Sequence, residues 1–167
     1  MQRSMVAINW RSAIADLVLA GMVVGPAAAP FLSASELPLL PSIAQIIYAM
    51  GNHVCPQPQM GLALLPPFSM AVCMRCYGTV IGLLITRLLY AKNSGNAFYW
   101  LTQHQLLGAI FTSLLMSAYP AELAAQVFGL WHFNNYVVTL FGLITGVGMG
   151  LFFMPILHQH WQAAVTS

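Results

Sequence analysis

Charge is what this chain most lacks. Its 167 residues include five Lys or Arg and three Asp or Glu, 5% in all, while 59% are hydrophobic; an average soluble domain is about a quarter charged. A soluble domain of this length needs charged side chains to cover its surface. The deficit therefore excludes water as the main solvent and makes the lipid bilayer the expected partner. A net charge of +2 is also too small to point to nucleic acid. Cysteine is scarce as well: the three present are an odd number, which suits a metal site better than a set of disulfides. There is no internal repeat and no low-complexity tract.

What remains is apolar sequence in blocks. Four stretches approach the roughly 20 residues that cross a bilayer core as helix: 13–32, 71–90, 98–119 and 136–157. The expected fold is an all-α, polytopic membrane protein: one membrane domain over 1–167 with four transmembrane helices and a short interfacial helix. The first stretch carries Asp16 and is expected to break at Gly25-Pro26 and Pro30, giving a short or kinked span. It also resembles a secretory signal, with small residues at Ala27-Ala28-Ala29. Pro30 directly after that site disfavours processing, so the segment is read as retained. The third stretch is flanked by Gln103 and His104, the latter read as interfacial. Trp10, Trp100, Trp131 and Trp161 fall near the expected boundaries, as interfacial tryptophans do.

Arg3 and Arg11 precede the first stretch, and Arg87 and Lys92 close the second. By the positive-inside rule this places both termini and the loop after the second span in the cytoplasm. Two segments then face the extracytoplasmic side. In the longer one, residues 42–50 read as a helix too short to span, lying on the membrane surface or re-entering it. Gly51-Asn52 is expected to end that helix. Pro56, Pro58, Pro66 and Pro67 keep the following loop, 51–70, extended. Gly78 and Gly82 in the second span, and Gly142, Gly146 and Gly150 in the fourth, form small-residue stripes that let helix backbones approach in lipid. Packing within the chain is their expected use; a homodimer seam or a contact with a membrane-complex partner is the alternative.

The chemistry concentrates at Cys55 and at Cys73-Met74-Arg75-Cys76, with His53 two residues before the first cysteine. The Cys-x-x-Cys pair opens the second span, where unpaired helix N–H groups and Arg75 favour thiolates. One reading makes Cys55, Cys73, Cys76 and a histidine, His53 or His132, the ligands of a tetrahedral zinc or iron site, with copper also open. A second makes Cys73 and Cys76 a redox pair with Cys55 as exchange partner. A third gives the cysteines no role beyond burial.

These residues resemble the signature of an uncharacterised prokaryotic membrane protein family, a domain of unknown function: Cys-His-Gln, then Cys-x-Arg-Cys and glycine. Here Cys55, Gln57, Cys73, Arg75, Cys76 and Gly78 match. A later acidic, Gln, Gly-Leu, Asn and Gly series is similar to Glu122, Gln126, Gly129-Leu130, Asn134-Asn135, Gly142 and Gly146. Two departures stand out. Pro56 replaces the histidine after the first cysteine, and Val137, Val138 and Thr139 stand where an arginine is expected at the start of the last helix. The resemblance implies no activity.

The second extracytoplasmic segment, about 120–135, brings Glu122, Gln126, His132, Asn134 and Asn135 toward the cysteines. Arg75, Glu122, Gln126 and Asn134 are the candidate residues for binding a cofactor, and Glu122 is a partner for Arg75. The plain alternative is a solvated loop and a helix cap. His158-Gln159-His160 is read as capping at the last helix's end, and the scattered methionines as core filler. Three functions follow: a membrane protein with an extracytoplasmic metal site, a quinone-linked thiol–disulfide oxidoreductase architecturally similar to vitamin K epoxide reductase relatives, and a structural or assembly subunit.

Overall fold

The computed structural model describes residues 10–35, 37, 39–92, 105–130, 132 and 134–157. Arg3, Trp100, Gln103, His104, Trp131 and the segment from His158 to Trp161 lie outside the described residues. The described chain is mostly helical: α1 (Trp10–Ser33), α2 (Leu40–Val54), α3 (Met74–Lys92), α4 (Gln105–Met116), α5 (Ala118–Val127) and α6 (Asn135–Leu157), with a small hairpin of β1 (Ala63–Leu65) and β2 (Phe68–Ser69). Among the described residues, three segments are long and apolar enough to cross a membrane: Ser12–Ser33, Leu106–Val127 and Asn135–Met154. α3, expected as a span, is more polar because Arg75, Arg87 and Lys92 all fall within its 19 residues.

Several expected boundaries move, each for a local reason. α1 does not break at its prolines; Pro26 and Pro30 both lie inside a continuous helix. A proline at 30 lacks the N–H that would bond the Pro26 carbonyl, and in lipid such a freed carbonyl needs another donor. The Ala71 backbone N–H supplies it at 3.4 Å. α2 likewise runs past Gly51 to Val54 instead of ending there. Gly51 is small for packing: a Cβ there would strike the Ala71 carbonyl. The proline-rich loop is not wholly extended, since Ala63 pairs with Ser69 in the hairpin and Tyr48 Oη donates to the Ser69 carbonyl at 2.6 Å.

The largest shift concerns the third span. Its helical path extends through Pro120 to Val127, where the expected span stops at 119 and a loop follows. A proline is accepted in the first turn of a helix, where its missing N–H has no partner to lose. The chain therefore interrupts at Ser117 and restarts as α5. The stop comes at Gly129, which takes φ +69°. There Leu130 N–H bonds Ala125 O at 2.9 Å and Gly129 N–H bonds Gln126 O at 3.0 Å, the left-handed closure that glycine adopts without strain.

The glycine stripes meet each other within the chain. α3 and α6 run parallel: Cβ atoms added to Gly78 and Gly82 would fall on the carbonyls of Thr139 and Leu143, and those on Gly142 and Gly146 on the carbonyls of Arg75 and Thr79. Gly150 faces Thr86, with 2.6 Å to its Cβ. α4 lies antiparallel to α6 through Gly148 against Thr112 and Leu115. At the far end, Arg87 donates to Asp16 through Nε (2.6 Å) and Nη2 (2.7 Å), tying the end of α3 to the start of α1. The cysteines sit at the opposite end of α3.

Candidate metal centre

Three backbone segments deliver the sulfurs. α2 stops at Cys55, whose extended backbone (φ −99°, ψ 124°) turns the chain out of the helix. The buried residues Met70, Ala71 and Val72 then carry it to Cys73, at the mouth of α3. Cys76 follows one turn inside α3, on the same face as Cys73.

The sulfurs converge. Cys76 Sγ lies 3.6 Å from Cys73 Sγ and 3.6 Å from Cys55 Sγ, and all three lie within 4.8 Å of one another. A tetrahedral centre with metal–sulfur bonds of about 2.3 Å requires sulfurs about 3.8 Å apart, whereas bonded sulfurs lie about 2.0 Å apart. The three cysteines are free thiols. The spacing is that of a ligand triangle. Hydrogen bonds from Cys73 and Cys76, together with the Cys73 backbone N–H 3.3 Å from Cys55 Sγ, hold the Cys55 thiol well below the usual range. The cluster thus favours one thiolate supported by its neighbours, with the open N–H groups of α3 beside it.

Neither histidine joins the triangle. His53 is exposed and its Nδ1 bonds the Ala49 carbonyl at 2.7 Å, one turn back along α2. A helical side chain leans toward the helix N-terminus, so this ring is drawn away from Cys55, which lies beyond the helix end. His132 is exposed in the segment before α6. Among the described residues, the cluster of metal-ligating atoms contains cysteine only. Asn134 also stands apart as a helix cap, its Oδ1 accepting the Tyr136 N–H at 2.9 Å. Asn135 Oδ1 is buried without a hydrogen-bond partner.

Arg75, Glu122 and Gln126 do come together, beside the sulfurs. Arg75 and Glu122 have no exposed side-chain surface, so the solvated-loop alternative for Glu122 fails. Arg75 Nε donates to Glu122 Oε2, Nη2 to Gln126 Oε1 at 2.9 Å and Nη1 to Gln57 Oε1 at 3.2 Å. Gln126 Nε2 in turn donates to Glu122 Oε1 at 2.5 Å. One guanidinium thus joins the cysteine loop, α3 and α5. Sequence reasoning missed Tyr119, whose hydroxyl lies 3.6 Å from Cys76 Sγ and whose ring takes the Arg75 guanidinium 5.5 Å from its centroid. Its position three residues before Glu122 on a helix was the available signal.

A family model described as a predicted membrane protein, DUF2085, matches residues 64–152, more than half of the chain. The chain belongs to this family. Within the DUF2085 match lie Cys73, Arg75, Cys76, Tyr119, Glu122 and Gln126, together with the glycines of α3 and α6. Cys55, His53 and Gln57 precede it. No curated protein and no solved structure matches the chain.

Proposed function

We propose that this DUF2085 protein is a membrane metalloprotein in which Cys55, Cys73 and Cys76 hold one zinc or iron ion at the extracytoplasmic face. The observation that carries the reading is the sulfur triangle, with two edges of 3.6 Å close to the roughly 3.8 Å that a tetrahedral thiolate site needs. Three thiolates and a divalent ion leave one negative charge. The α3 N-terminus offsets part of it. The Arg75–Glu122 pair contributes no net charge and serves instead to lock the loop and two helices around the sulfurs.

Three protein ligands leave a fourth position, the pattern of a site that exchanges a ligand with its surroundings rather than one closed for structure alone. Tyr119 stands beside Cys76, with its hydroxyl 3.6 Å from the sulfur, where it can donate to a thiolate. α3 completes a four-span bundle in this reading: its two arginines are spent on Glu122 and Asp16, and paired charges are the ones a membrane interior tolerates. Arg3, Arg11, Arg87 and Lys92 favour cytoplasmic termini, with the cysteines on the other side.

The test is elemental analysis of protein purified under reducing conditions, with Cys55→Ser as control. About one metal ion per chain in the wild type, lost in the variant, supports the reading. A metal-free wild type that folds normally and takes up no added zinc or iron overturns it.

A further inference from the structure

Two of the three sulfurs are enclosed, Cys55 at 5% exposed and Cys73 at 0%, while Cys76 is partly exposed. An ion that reaches Cys55 first comes along α2, which ends there. α2 has three faces. Ala44 and Gly51 are buried, and Tyr48 is held to the hairpin. Leu39, at its N-cap, and Ile43, Ile46, Met50 and Val54 form an exposed apolar stripe. Ser42, Gln45, Asn52 and His53 are exposed polar residues on one side of α2, with the small, exposed Ala49 among them. At 100° per residue the four polar residues fall within an arc of about 100°, and this polar side ends two residues short of Cys55. α2 folds back along α1, with the Gly25 Cβ position 4.0 Å from Ile47, so the polar side runs from the connecting turn inward to the cluster.

His53 closes that side in a specific tautomer. Its Nδ1 faces the Ala49 carbonyl at 2.7 Å, and a carbonyl can only accept, so Nδ1 carries the proton. In the neutral ring Nε2 is then the nitrogen that offers a lone pair, and the ring is exposed. A backbone carbonyl on the other nitrogen is the usual support of a metal-ligating imidazole. The ring is absent from the sulfur cluster, yet its Cα is at most about 7 Å from that of Cys55.

We propose that His53 is a loading ligand rather than a resident one. This rests on the metal reading above. An ion arriving along the α2 polar side binds Nε2 first, the Cys55 thiolate then replaces Nε2, and Cys73 and Cys76 each release a thiol proton to water as they bind. A way-station of this kind changes how fast metal enters and leaves but not the final complex.

The experiment uses reduced, full-length protein in detergent, loaded with Co(II) and followed by its thiolate charge-transfer absorption in a stopped-flow instrument. His53→Gln should slow both loading and removal by a chelator about tenfold, the size of effect that ligand-supporting groups have on metal sites. The cobalt spectrum and stoichiometry should stay as in the wild type. Unchanged rates overturn the proposal, as does an altered cobalt spectrum, which would make His53 a resident ligand. A wild type that binds no cobalt at all overturns the metal reading itself, an outcome separable from the other two.

Discussion

Replacing Glu122 by glutamine keeps the shape of the buried pair but strands a guanidinium. Arg75 and Glu122 have no exposed side-chain surface. After the change Arg75 has only neutral acceptors, the amide oxygens of Gln57, Gln126 and the new side chain at 122, and the face of Tyr119. Breaking a buried ion pair from one side costs about 3–5 kcal/mol, because the remaining charge stays desolvated. The retained amide acceptors place Glu122→Gln near the low end of that range. Arg75→Met strands the Glu122 carboxylate instead and falls under the same range. The double variant Arg75→Met with Glu122→Leu removes both charges, and by the same reasoning should return to within about 2 kcal/mol of the wild type. The assay is reversible unfolding in mixed micelles, followed by circular dichroism. If Glu122→Gln loses no more than about 1 kcal/mol, the value for a solvent-exposed pair, or if the double variant loses the sum of the two single losses, the pair is not the buried lock described here.

Other consequences are separable. Gly146→Ala sets a methyl against the Thr79 carbonyl, where only backbone can yield, and should cost about 1–3 kcal/mol in the same unfolding assay. Gly21→Ala, with nothing within 4 Å of the new methyl, should instead be neutral or gain up to about 1 kcal/mol from helix propensity. Asp16→Asn breaks a two-point bond, but Arg87 is 20% and Asp16 42% exposed. Its loss should stay below about 1 kcal/mol after solvent screening, measured likewise. Tyr119→Phe removes the hydroxyl beside Cys76. Metal stoichiometry should be retained while the cobalt charge-transfer band shifts, and an unchanged band would remove Tyr119 from the site.

The membrane character was legible because a chain with so few charges cannot cover its surface in water, and the cysteine cluster because three thiols fall in only two short segments. The Arg75–Glu122 contact was also within reach, since a charged residue at each of two helix ends in lipid seeks a partner. Less legible were the residues whose effect depends on what packs against them. Pro26 and Pro30 read as helix breakers, but Ala71, far along the chain beyond α2 and the hairpin, supplies a donor to the freed Pro26 carbonyl. Gly51 read as a stop, but is a contact point for that same Ala71. Pro120 read as the start of a loop, but occupies the first turn of α5 and so moved Glu122 from an expected loop into a buried helix. The direction of the His53 ring was not legible, because two residues of separation from Cys55 says nothing of it and the Ala49 carbonyl fixes it.

X-ray absorption at the zinc edge, on protein loaded with one zinc per chain, reads the metal's ligands directly. The arrangement of Cys55, Cys73 and Cys76 predicts three sulfurs at about 2.3 Å and one lighter ligand at about 2.0–2.1 Å. A first shell of nitrogen and oxygen alone, or one with fewer than three sulfurs, would contradict the three-thiolate centre.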